Sequence, residues 1–204
     1  MEKAKLLRYG GLIAGVILIA FGIGAIGMSI NGEKTVRDNL KAEQITFGDA
    51  ATDPTVPKKY SGQLVDNGTK ARAFAKMMRE HTLTASGGFT YSQMGRYQAK
   101  PDAPKSELAT GGGTNNAAYA AMDPATNQPK ANGLRDLWVT ETALTTALNT
   151  AYMAENLALF GLVVGVALLL AGIGFVVLAW YALGAARKAT VEADAPGGAA
   201  AMKA

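Results

Sequence analysis

Residues 134–183 read LRDLWVTETALTTALNTAYMAENLALFGLVVGVALLLAGIGFVVLAWYAL. No proline interrupts these fifty residues, so they predict one helix of about 75 Å at about 1.5 Å per residue. The first half is polar and amphipathic. The second half lies in a run from 156 to 186 that carries no formal charge. A seven-residue step runs the whole length: Leu137, Leu144, Ala151, Ala158, Gly165, Gly172 and Ala179. Large residues line its first part and small ones its second. That pattern predicts a helix-contact seam passing from water, where leucine burial drives packing, into lipid, where close backbone approach does.

A second uncharged run, residues 10–30, is long enough to cross a hydrocarbon core of about 30 Å. Two such runs in 204 residues indicate a membrane protein. A cleaved signal peptide is the competing reading of the first run. Its apolar region would be about 7–15 residues, shorter than this one. Lys3, Lys5 and Arg8 precede the first run, and Arg187 and Lys188 follow the second. The positive-inside tendency then predicts cytoplasmic termini and an extracytoplasmic segment 31–156. Tyr9, Trp180 and Tyr181 would share one interfacial belt.

The first run carries its own seam at Gly15, Gly22 and Ser29, continued by Val36. The predicted helix therefore continues past 30 to about residue 44. Two alternatives follow for the seams. They pack the two helices of one chain together, or neighbouring subunits share them.

Between the long helices, Pro54 and Pro57 break regular structure. Asp66 or Asn67 can cap a helix over 69–82, with Ala71, Phe74, Ala75 and Met78 on one face. A short helix is expected over 91–97, with Tyr91 and Met94 turned inward. Residues 98–132 hold four prolines and a Gly111-Gly112-Gly113 run, which predicts a long irregular loop. The segment after 184 is rich in alanine and glycine, a low-complexity tail.

The chemistry-bearing residues are sparse. Segment 31–156 has 14 Lys/Arg against 13 Asp/Glu, near neutrality, which argues against a nucleic-acid surface. There is no cysteine, hence no thiolate site and no disulfide. Neither apolar run contains a formally charged residue, unlike an ion pathway or proton relay. His81 is the single histidine and reads as a solvated helix-end residue. Asp49 and Asp53 share a loop without the spacing of a calcium-binding motif. Tyr91, Arg96 and Tyr97 form a possible partner patch. No catalytic, cofactor-binding or metal-ligating set emerges.

Glu43-Gln44-Ile45-Thr46 is followed by Gly62-Gln63-Leu64-Val65 before a capped helix ending at His81, then by Thr90-Tyr91, and finally by residues 134–148. In that order they resemble a family of actinobacterial two-span membrane proteins of unestablished function. The resemblance spans about residues 5–185 and implies topology alone. Members are sometimes labelled aromatic ring-opening dioxygenases. A non-haem iron oxygenase of the common type needs two histidines and a carboxylate, and this chain has one histidine.

These readings predict an all-α membrane protein. It is a two-span transmembrane helical hairpin whose helices extend into a small extracytoplasmic α-helical domain with a long irregular loop. The expected segments are 1–9 cytoplasmic, 10–30 and 157–183 in the membrane, 31–156 extracytoplasmic and 184–204 cytoplasmic. The function expected is a non-catalytic structural or accessory subunit, without cofactor, in contact with lipid and with copies of itself or other membrane proteins. An extracytoplasmic binding or sensing module is the alternative.

Overall fold

The computed structural model describes residues 2–193, with side chains from 9 to 181. The basic flanks Lys3, Lys5, Arg8, Arg187 and Lys188, on which orientation was argued, lie outside those side chains, and 194–204 lie outside the described residues. Three helices form: α1 (Glu2–Ala42), α2 (Gly68–Ala85) and α3 (Gly133–Ala193). No β-strand occurs among the described residues, only short 3-10 turns and isolated β-bridges. The stretches Tyr9–Ala42 and Gly133–Tyr181 are long and apolar enough to cross a membrane. The chain divides into two compact units. One combines Met1–Glu33 with Leu157–Ala204, and the other is Lys34–Asn156.

In the first unit, the apolar parts of α1 and α3 meet through glycine. A Cβ on Gly15 would stand 2.8 Å from the carbonyl oxygen of Gly172, and one on Gly22 would stand 2.7 Å from the amide of Leu169. From the other side, a Cβ on Gly165 would meet Ile26 at 2.8 Å. Ser29 faces Gly161, Gly11 faces Ala179, and Gly32 faces Ala158. The partners run in opposite order along the two helices, so the packing is antiparallel. Gly15, Gly22 and Ser29 thus find their counterparts in Gly172, Gly165, Gly161 and Ala158 of the same chain. The intramolecular alternative is the one this unit adopts. Bulky residues such as Phe21, Met28, Leu170 and Leu178 are exposed on the outer faces.

The second unit has a water-type core. Leu40, Phe47, Val56, Val65, Ala71 and Leu148 are buried together. Phe47 stacks on Tyr60 at 5.3 Å and meets Phe74 edge-on at 5.2 Å. Asn67 caps α2, its side chain accepting from the amide of Lys70. The cap brings Gly68 against α3, where the Gly68 amide donates to Glu155 Oε2 at 2.6 Å. Arg37 of α1 donates to Glu155 Oε1 at 2.8 Å. One carboxylate therefore ties all three helices. A side chain at 68 would collide with the Tyr152 backbone at 2.8 Å.

Two expectations need correcting here. Leu137 and Leu144 do not continue the buried seam, being 39 % and 43 % exposed. The buried face of α3 has moved to Trp138, Glu141 and Leu148, because α2 packs there and recruits a different stripe. Ala151, where the two faces merge, is half-buried against the core. The second correction is the expected helix over 91–97, which shrinks to a 3-10 turn, Tyr91–Gln93. Met94 is buried as expected, but Tyr91 is 43 % exposed.

Residues 98–132 remain irregular yet carry many backbone hydrogen bonds. Tyr97 and Thr114 exchange backbone bonds at 2.9 Å each, and Gln98, Ala121 and Lys130 pair with one another. Asn132 donates its side-chain amide to the Gly95 carbonyl at 2.9 Å. Gly95 presses on the backbone of Gly113 and Thr114 and leaves no room for a Cβ.

Candidate functional site

Along α2, Thr69, Arg72, Lys76 and Arg79 recur at three- and four-residue spacing and so share one face. On α3, Glu141, Thr145 and Asn149 form a facing stripe. Between them lies a groove of about 550 Å³, closed at one side by Lys59 and Tyr60. Three of its four cations lie over rings, and Lys76 pairs with Glu80 at 3.8 Å. Arg72 lies over Tyr152 at 4.7 Å, Arg79 over Trp138 at 5.1 Å and Lys59 over Tyr60 at 4.6 Å. Trp138 is in turn fixed by its indole N–H, which donates to the Phe89 carbonyl at 3.0 Å. Cation–π contact uses the face of a guanidinium and leaves its N–H edge available.

Glu141 is the anomaly of this groove. It is 2 % exposed, and among the described residues its Oε1 has no hydrogen-bond partner. Its Oε2 accepts only a 3.3 Å bond from the neighbouring Thr142 hydroxyl. An unpaired buried carboxylate oxygen is costly. Glu155, on the same helix, shows what a structural carboxylate looks like here, with one strong donor on each oxygen.

A second concavity of about 440 Å³ lies between α1 and α3, lined mainly by Val36, Leu40, Ile45, Leu144, Leu148 and Ala151. It is apolar, with Asn39 and Glu43 at its edge. Leu134, Leu137 and Val139 are exposed further along α3.

His81 is not a free helix-end residue. Its Nε2 lies 2.8 Å from Asp53 Oδ2 and 2.7 Å from Thr55 Oγ1. A carboxylate only accepts, so Nε2 carries the proton and donates. Thr55 donates both its hydroxyl, at 2.6 Å, and its amide, at 2.9 Å, to Asp53 Oδ1. These Thr55 bonds, with a smaller contribution from His81, hold the Asp53 carboxyl below the usual carboxylate range. Asp49 accepts from the Ala51 amide and the Ser61 hydroxyl. The two aspartates thus serve separate turns. Among the described residues, no three His, Asp or Glu side chains gather in a metal-holding group.

Tyr91, Arg96 and Tyr97 do not converge. Tyr91 sits 4.0 Å beneath the Arg135 guanidinium. Arg96 is tied by its backbone to Asn115 and Asn132, and Tyr97 by its backbone to Thr114. Among the described residues no hydrogen bond or ring contact joins the three. Comparison with protein-family models, curated proteins and solved structures finds no match to this chain.

Arg72, Arg79 and Glu141 escaped the sequence reading. One signal was present. Trp138, Glu141, Thr145 and Leu148 share a helical face, and a carboxylate between a tryptophan and a leucine on one face is unusual.

Proposed function

We propose that this chain is an integral membrane protein that crosses the bilayer twice as a helical hairpin and acts as a non-catalytic structural or accessory subunit. In this reading residues 31–156 lie outside the cytoplasm. The family resemblance supports the topology alone. With the glycine seams used inside the chain, assembly must rest on another surface. The observation that carries it is the apolar groove flanked by exposed Leu137 and Leu144, in a unit that carries charged residues and its own apolar core. Exposed leucines in line with an apolar groove on a water-side helix mark an interaction surface.

The occupant proposed is a second copy of this chain. The leucine ridge and the groove lie on the same stripe of α3, with Leu144 belonging to both. A ridge beside a groove on one surface is self-complementary under a two-fold axis. The mass of the purified chain in mild detergent should be that of a dimer. Leu144→Glu, and separately Leu137→Glu, should weaken the dimer about tenfold or more, as loss of an interface anchor does. Melting temperature of the monomer should be retained, since both residues are exposed. A monomeric wild-type chain, or dimers indifferent to both changes, would overturn the reading.

The alternative of a binding or sensing module is favoured by a separate observation, the basic groove between α2 and α3.

A further inference from the structure

We propose that two copies pair with their α3 helices parallel and in register. Leu137 and Leu144 each meet the same residue of the partner copy, and the basic groove between α2 and α3 stays open on both. This rests on the dimer and the two-span topology proposed above, and adds the direction and register of the contact.

Membrane topology restricts the symmetry. Two copies inserted the same way can be related by a two-fold axis only if that axis stands perpendicular to the membrane plane. α3 is one unbroken helix, Gly133–Ala193, and it contains the second stretch long and apolar enough to cross a membrane. The two α3 helices therefore run in the same direction, and each residue stands level with its own counterpart. An isologous contact beside such an axis pairs each position with itself. Head-to-tail pairing of the α3 helices would leave one copy inverted.

α3 supplies a stripe suited to that contact. Leu137, Leu144 and Ala151 recur every seven residues, the step that keeps a seam facing a parallel partner. Leu137 and Leu144 are exposed, and Ala151 is half-buried. Ala147 and Ala154 flank the stripe in the apolar groove. Their methyl groups let a partner helix come close, while the leucines fill the space between. Val36 and Leu40 line the far side of the groove from α1. Two copies thus make a four-helix stalk of α1, α3 and their counterparts. The contact uses up the stripe on both copies, so the assembly closes at two. Thr145 and Asn149 lie about 100° and about 140° round α3 from Leu144, at about 3.6 residues per turn. The basic groove they line therefore faces away from the axis on each copy.

The chain has no cysteine, so a single-cysteine variant reports only the introduced position. Leu137→Cys, Leu144→Cys, Val139→Cys and Asn149→Cys all change exposed residues, and melting curves confirm that each variant is folded. Each full chain is reconstituted in phosphatidylcholine vesicles and oxidised with copper phenanthroline. Leu137→Cys and Leu144→Cys should shift to twice the chain mass on a non-reducing gel, because a disulfide needs Cα atoms within about 7 Å. Val139→Cys and Asn149→Cys, on other faces of α3, should stay at single mass. Leu144 would also meet itself in an antiparallel pairing centred there, so Leu137 decides the direction. Leu137→Cys mixed with a longer, tagged Ala151→Cys chain should give no mixed product, since these positions lie about 21 Å apart along parallel helices. Mixed product in place of Leu137 self-linking overturns the proposal, and so does equal linking at all four positions. Failure of the dimer reads differently. A monomeric mass in detergent removes both readings, whereas a dimeric mass without linking at Leu137 and Leu144 removes the parallel register alone.

Discussion

Asp53 accepts two bonds from Thr55 and one from His81, and its carboxyl is held below its ordinary range, chiefly by the Thr55 hydroxyl and amide. A carboxylate with a depressed folded value stabilises the fold fully above its unfolded value. That contribution disappears as pH falls through the lower folded value. Acid should therefore release the 49–55 turn from α2 as pH falls below the ordinary carboxylate range and through the lowered Asp53 value. Asp53→Asn should flatten this part of the curve of melting temperature against pH. His81→Ala should lower the melting temperature modestly at neutral pH, by losing the bonds to Asp53 and Thr55. An unchanged acid limb in Asp53→Asn would show that the turn does not contribute. The role of His81 was not readable beforehand, because its partners lie 26 and 28 residues away in a proline-broken loop.

At the scale of elements, composition and spacing carried most of the information. The cap at Asn67, the inward face of α2 and the extension of α1 beyond the apolar run all follow from residue types at helical intervals. The seam failed where it was extrapolated. From Ala179 to Ala158 the facing element is α1 alone, and small residues every seventh position suffice. Beyond Ala151 a second helix arrives, and the face that meets it is decided by tertiary packing that no local pattern encodes. Gly22 and Gly165 support a sharper expectation. Gly22→Leu and Gly165→Leu each force a side chain into backbone or Ile26 at under about 3 Å. Overpacking of this kind costs about 1–3 kcal/mol. Each should lower the melting temperature in detergent, whereas Leu170→Ala, on an exposed face, should not. Equal melting of all three variants would mean that the close approach carries no stability.

For the whole molecule, the proposed topology makes one region reachable from outside the cell. Lys105 and Lys130 are exposed in the irregular segment, so trypsin added to intact spheroplasts should cleave there. A tag placed after Ala204 should survive the same treatment. Loss of the tag with the cell membrane intact would reverse the proposed orientation. The amount of ordered structure in residues 98–132 was hidden from the sequence. Prolines and glycines report where regular elements end, not which amides pair across a turn. Gly95 against Thr114 is such a case, since only the fold shows why that glycine has no room for a side chain.

Glu155 couples two properties of this chain. It is the last charged residue on α3 before the uncharged run, and its two oxygens fasten Arg37 and the Gly68 amide. A substitution to an apolar residue would carry the uncharged run back from 156 to 142, because the next charge on α3 is Glu141. The same substitution would unfasten the start of α2 and strand Arg37 without this partner. The length of the greasy stretch and the closure of the neighbouring unit are thus written in one codon, and neither can be tuned without the other.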